Sequence, residues 1–434
     1  MATQRKEFLK LAGLTGLGVA GAAVLPGNIM GIEFNNQHIQ PMTSSSTGNN
    51  ESDDKDLSII GLYGPWASTL YQNKIPAFSF RKDGWKNLES WRKAAKERLA
   101  ERLAIPDIGG MPAVTLQKQY TYDGLHVEEL SWQLPYGRAT EAILLKPINA
   151  TGKLPGVLAF HDHGGNKYFG HRKIARTADE EHPVMNDHRE EYYSGLAWAN
   201  EIAKRGYVVL VADAFSFASR RVKYEDVPSH MREGNNDENP EDAAKIKIYN
   251  NWAGEHEHVM AKSLFCAGTT WPGVFFAEDR KALDILSARK DVEVDRIGCG
   301  GLSGGGLRTV FMAGLDPRIK CAVNVGFMTT WKDFLLYKSF THTWMTFAPL
   351  VPQDLDFPEI LGLRAPLPTL VLNASEDGLY TLEGMKGAGK ILAEIYKKAG
   401  AEDNFKCSFY PGIHKFDKPM QSEAFDWFDR WLKK

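Results

Sequence analysis

An imbalance of charge is the first thing this sequence lacks. Its 434 residues carry 52 Lys and Arg against 54 Asp and Glu, a formal net charge of -2. With no basic field, neither nucleic acid nor an anionic lipid surface is an expected partner, which leaves neutral or small molecules. Cysteine is scarce, four in all, and no C-x-x-C or other zinc spacing occurs. Cys299, Cys321 and Cys407 each fall inside an apolar, strand-like run, where a packed free thiol is expected rather than a disulfide. Long apolar runs are missing too. The nearest, residues 11–25, is rich in Gly, Ala and Leu and is too short and too weakly apolar for a stable membrane span. Gly13, Gly16, Gly18 and Gly21 also weaken it as a helix standing alone. No internal repeat is detectable, which excludes solenoids and propellers.

What is present begins with an address. The stretch Gln4-Arg5-Lys6-Glu7-Phe8-Leu9-Lys10 precedes that apolar run and resembles a bacterial twin-arginine leader, with Lys6 where the second arginine belongs and Gln4 where Ser or Thr is usual. Residues 1–33 are therefore read as an export signal of Tat-like or Sec type, giving a periplasmic or secreted protein. No cysteine follows the run, so no lipid anchor is expected. Residues 34–56 are polar and read as a disordered linker. The folded domain is expected over residues 57–434.

Within it, residues 85–103 have helical periodicity with alternating charge and belong to an N-terminal extension, 57–120. Residues 127–134 and 138–146 alternate around Pro135-Tyr136-Gly137 as an antiparallel hairpin. Near-continuous apolar runs follow at 154–160, 207–212, 297–302, 321–325, 369–373 and 405–410, separated by helical patterns at 196–205, 276–288 and 382–399. Strands apolar on both faces and separated by helices predict an α/β protein, a mostly parallel sheet covered on both sides. The hairpin leading into it points to the α/β-hydrolase fold. Two inserts, 214–258 and 327–363, are placed near the active site.

At the corner after residues 297–302 stands Gly301-Leu302-Ser303-Gly304-Gly305, a G-x-S-x-G pattern between strand and helix. A serine in a strained turn brings the residues two before and two after it together, which leaves no room for a β-carbon. Such a serine needs a base and an acid to orient it, in the chain order acid then histidine. Asp377 follows the run 369–373, and His414 follows 405–410 in Pro411-Gly412-Ile413-His414. Asp377 is preferred to its neighbour Glu376. Oxyanion donors are expected at the Gly304 N–H and at an N–H near Gly165, with Gly164 beside it, in His161-Asp162-His163-Gly164-Gly165. His163, Trp271 and Tyr380 are candidate substrate contacts. Trp331, Phe334, Tyr337, Phe340, Trp344 and Phe347 stand at helical spacing in the second insert, as core or as a sugar-stacking wall.

A competing reading takes His161, His163 and Asp213 as a metal site in a metal-dependent hydrolase. Glu255-His256-Glu257-His258 is a poorer candidate, because residues two apart do not share a helix face. A third reading is a non-catalytic glycan-binding pseudo-hydrolase.

The segments HDHGGNKYFG, Asp213-Ala214-Phe215, KSLFCAGTTWPG, RIGCGGLSGGG, NASEDGLYT and PGIHKFD resemble the acetyl xylan esterase-like branch of the α/β-hydrolases, allied to dienelactone hydrolases, over about Leu57 to the C-terminus. The resemblance implies a serine carboxylesterase with Ser303, Asp377 and His414 as nucleophile, acid and base. It implies esters on plant or algal polysaccharides as substrates; the expected partner is a small-molecule or polysaccharide ester, acetyl or related, with no metal or organic cofactor. It is weaker to glucuronoyl esterases, which usually carry Arg where this chain has Gly304, and Ser303 departs from the cysteine of dienelactone hydrolases proper.

Overall fold

Successive residues of a strand face opposite ways, and here both faces are apolar. In the computed structural model, which describes residues 57–71 and 75–433, Leu158 and Phe160 pack into one core cluster while Val157 and Ala159, on the same strand, pack into another. A sheet with two buried faces needs helices on both, and that is the observed layering. The expected export signal and linker, residues 1–56, lie outside the described residues.

The sheet has nine strands: β1 (Val114–Tyr122), β2 (Leu125–Trp132), β3 (Thr140–Pro147), β4 (Leu154–Phe160), β5 (Val208–Ala212), β6 (Val292–Leu302), β7 (Ile319–Val325), β8 (Thr369–Ala374) and β9 (Phe405–Tyr410). Their order is β1-β2-β3-β5-β4-β6-β7-β8-β9. The first three strands and the β3–β5 contact are antiparallel. From β5 onward every neighbour is parallel. Parallel neighbours put all their carboxyl ends on one edge, so the loops after β4, β6, β7, β8 and β9 meet there.

Five helices position the site. They are α1 (Leu88–Leu103), α2 (Trp271–Ser287), α3 (Gly304–Leu315), α4 (Leu382–Lys398) and α5 (Lys418–Leu432). The Asn87 side chain caps α1 by accepting from the Ser90 N–H, and Trp91, Ala95, Leu99 and Leu103 bury one stripe of it. α2 and α3 enter the same cluster as α1, whereas Phe425, Phe428 and Leu432 of α5 enter the other.

Neither insert is an open loop. Tyr224, Ile246, Tyr249 and Trp252 of the first form a third cluster with Tyr168, Phe169 and Met185. The second divides its aromatics: Trp331 and Phe334 are core, while Tyr337, Phe340 and Trp344 are exposed. All four cysteines are free thiols. No helix among the described residues is long and apolar enough to cross a membrane.

Candidate active site

Ser303 sits where β6 becomes α3, with φ +58°, a left-handed conformation that costs a non-glycine residue about 1–3 kcal/mol unless the surroundings enforce it. They do. Its N–H donates to Val325 O at 2.9 Å, at the end of β7. A β-carbon on Gly301 would lie 2.3 Å from Phe160 O and 3.0 Å from Gly305 Cα, and one on Gly305 would lie 2.4 Å from Phe160 O. The turn is thus wedged between the ends of β4 and β7, and the glycines admit the backbone approach that the spacing predicted.

The loops after β8 and β9 bring Asp377 and His414 together. His414 Nδ1–H donates to Asp377 Oδ2 at 2.6 Å, and the other carboxyl oxygen accepts from the Leu379 N–H at 3.0 Å. Because a carboxylate only accepts, this bond places the ring proton on Nδ1 and leaves a lone pair on Nε2. That Nε2 is buried and has no partner among the described residues. The imidazole faces Gly326, the residue after β7, where a β-carbon would lie 3.0 Å from its Cε1. Gly326 directly follows Val325, the residue bonded to Ser303, so serine and imidazole flank one short stretch of backbone. Glu376 has a different task. Its Oε1 accepts from the Gly412 N–H at 3.0 Å, and its own N–H donates to Gly412 O, which clips the acid loop to the base loop.

The loop after β4 supplies amides. Lys173, fully buried, donates from Nζ to the carbonyls of both Asp162 and His163 at 2.8 Å. In a trans peptide the N–H points opposite to the C=O, so the His163 N–H is turned away from Lys173. It turns toward α3, where the His163 nitrogen lies 3.0 Å from the β-carbon position of Gly304. Burial brings Lys173 down to about 8. Burial alone would push Asp162 up, but His188 and Lys173 beside it hold its carboxyl well below the usual range, and Tyr193 OH donates to it at 2.5 Å.

This geometry corrects the assignment of Gly165 as an oxyanion donor. The Gly165 N–H is spent on His163 Nδ1 at 3.1 Å. At Gly164 a β-carbon would lie 2.4 Å from Asp162 Oδ2, so its place in the loop is set by packing over that carboxylate. The amide that faces Gly304 is that of His163.

The metal reading fails on the same grounds. His161 Nδ1–H donates to Asp162 O and its Nε2 accepts from the Ala214 N–H, with burial pushing the imidazole down to about 3. His163 accepts at Nδ1 and donates from Nε2 to Glu257 Oε1 at 2.8 Å. Asp213 accepts from His171 and Ser219. Every lone pair of the trio is engaged, and no group of three or more His, Cys, Asp or Glu among the described residues is arranged to hold a metal ion.

A cleft opens beside the serine, lined by Ser303, Gly304 and His163 together with Phe217, Phe275, Phe327, Leu307 and Met345. Its volume is about 30 Å³. Trp271 and Tyr380, read as substrate contacts, are both buried and both absent from this lining. Trp271 starts α2 and packs edge-on to Phe215. Tyr380 OH donates to Gly326 O at 3.0 Å, which steadies the backbone behind His414. His163 does line the cleft, but its ring is held by Glu257. Lys173, Arg308 and His342 were not anticipated, and Glu257 was read only within a poor metal candidate. Lysine and glutamate in a polar stretch read as solvated, and nothing in their spacing marks Glu257 as the buried partner of both His163 and Lys167.

No family model matches the chain. A curated Bacillus subtilis (strain 168) protein named "Putative hydrolase YtaP" is 26% identical over 329 residues, 76% of this chain and 95% of that one. Among solved structures, one described as a putative acetyl xylan esterase from Bacteroides fragilis superposes with a TM-score of 0.57 at 18% identity, covering 80% of this chain and 81% of that one. A glucuronoyl esterase from Solibacter usitatus superposes at 0.53 and 13% identity, covering 82% and 94%. Together with the strand order and the strained serine corner, these likenesses show that the chain has the α/β-hydrolase fold.

Proposed function

We propose that this chain is a serine carboxylesterase acting on small acyl esters of carbohydrates through Ser303, His414 and Asp377. The observation that carries the reading is the Asp377–His414 bond at 2.6 Å, which leaves His414 Nε2 buried and unpartnered beside the backbone stretch that also holds Ser303. An imidazole with its proton held on Nδ1 is prepared to take one at Nε2. In the reaction His414 removes the hydroxyl proton as Ser303 Oγ attacks the ester carbonyl. The Gly304 and His163 N–H groups receive the oxyanion, worth about 3 kcal/mol for each well-aimed donor. Collapse expels the alcohol, which takes the proton from His414, and water then repeats the sequence to release the acid. The acetyl xylan and glucuronoyl esterase likenesses favour a carbohydrate alcohol, and the cleft volume of roughly 30 Å³ favours a short acyl group. Ser303→Ala is expected to lower turnover of an aryl acetate by about a million-fold with the fold intact. Retention of most of that activity would overturn the reading.

A further inference from the structure

The cleft beside Ser303 is walled by aromatic rings, yet three residues of its lining each carry a buried polar atom without a partner among the described residues. Arg308, 3% exposed, gives Nε and Nη2 to the carboxylate of Asp279 at 2.9 and 2.5 Å, and its Nη1 bonds to nothing among the described residues. Thr346, 1% exposed, has an unpartnered Oγ1. His342, half-buried, has an unpartnered and inaccessible Nε2. All three residues line this one cleft. A buried polar group left unmade costs about 1–3 kcal/mol, so three together mark a place for a polar atom of a ligand.

Their chemistry says which atom. Arg308 is neutralised by Asp279, so the lining offers a directed N–H rather than a free positive charge. The Thr341 hydroxyl donates to Lys338 O at 2.8 Å or Leu379 O at 3.0 Å, and it therefore accepts from His342 Nδ1–H at 2.8 Å. The His342 lone pair is then on Nε2, and burial holds this imidazole down to about 4, neutral at neutral pH. One N–H donor, one nitrogen acceptor and one hydroxyl suit an alcohol oxygen, which accepts from one group and donates to another. A carboxylate would meet the His342 lone pair unfavourably.

The side of the ester follows from the proton. The leaving alcohol must reach His414 Nε2 to be protonated, whereas the cleft is lined by Ser303, Gly304 and His163 and not by His414. It therefore lies on the acyl side. We propose that it is an acyl subsite for a short 2-hydroxyacyl group, of glycolyl size, whose hydroxyl is held by Arg308, Thr346 and His342. The proposal rests on the serine-esterase reading above.

The test uses the full chain and two aryl esters that differ only in the acyl group, glycolate and acetate. The quantity read is the ratio of their kcat/KM values, divided by the ratio of their hydroxide-catalysed rates. For the native chain this quotient is expected at about ten or more. Thr346→Val and His342→Phe should each lower it at least about fivefold, and Thr346→Ser, which keeps the hydroxyl, should hold it within about twofold. A quotient near one in the native chain, or one unchanged by both Thr346→Val and His342→Phe, overturns the subsite. Such results with an inactive Ser303→Ala leave the serine reading standing, whereas an active Ser303→Ala removes that reading instead.

Discussion

His161 shows how much a single residue is asked to do. Its ring is buried, bonded at both nitrogens and held down to about 3, against about 6.5 for an exposed histidine. Between those values the unfolded chain binds the proton and the folded chain does not, so the stability that His161 contributes falls as pH drops through 6.5 toward 3. That loss falls between about pH 6.5 and 4. Denaturant titrations of the native chain and of His161→Gln, which can keep both bonds without titrating, should diverge across that range, the native chain losing more stability toward pH 4, while carboxyls pushed up by burial, such as Asp356, contribute equally to both. The sequence marks His161 only by its spacing from His163 and by Asp213 after the next strand, and the metal reading drew on that alone. The places of Ser303, Asp377 and His414 after β6, β8 and β9 were legible because the fold fixes that order along the chain, whereas burial and partners decide the rest. Trp271 failed as a pocket residue for that reason: nearness in sequence to a catalytic loop does not say which way a helix turns its first side chain.

At the scale of elements, the β4 loop and the start of α3 act as a pair, and Lys173 orients the first against the second. Lys173→Met removes both Nζ bonds, to Asp162 O and His163 O, and frees the peptide whose N–H faces Gly304. We expect kcat to fall by about a hundredfold with KM little changed, since an oxyanion donor acts in the transition state. Affinity for a boronate analogue should fall in step. A variant that loses thermal stability but keeps kcat and boronate affinity would make Lys173 a packing residue only. The parallel strands were legible from their apolar runs, and β6 is longer than its apolar run because Val292–Arg296 pairs only at its first residues with β4. β1 was missed. Val114–Tyr122 is an edge strand with exposed residues along almost its whole length, so no buried face imposed a period on its sequence.

For the molecule as a whole, the N-terminal extension clamps the second insert, the segment that brings His342 and Thr346 to the cleft. Arg102 Nε reaches Asp354 at 2.6 Å, Arg81 reaches Glu359 at 2.9 Å and Tyr71 OH donates to Asp356 at 2.7 Å. The Glu359 side chain is fully buried, and its burial pushes the carboxyl up. Removing its cation by Arg81→Met should cost about 3 kcal/mol or more, read as a lower denaturant midpoint. An unchanged midpoint would show that the clamp contributes little. The extension was legible as a helix but not as a clamp, because its partners lie more than 250 positions away. The central claim, that residues from the ends of β6, β8 and β9 make one hydroxyl reactive, is tested most directly by the rate and position of fluorophosphonate labelling. The account predicts a single adduct on Ser303, formed orders of magnitude more slowly in His414→Asn. An adduct on another residue, or equal rates in the two proteins, would contradict it.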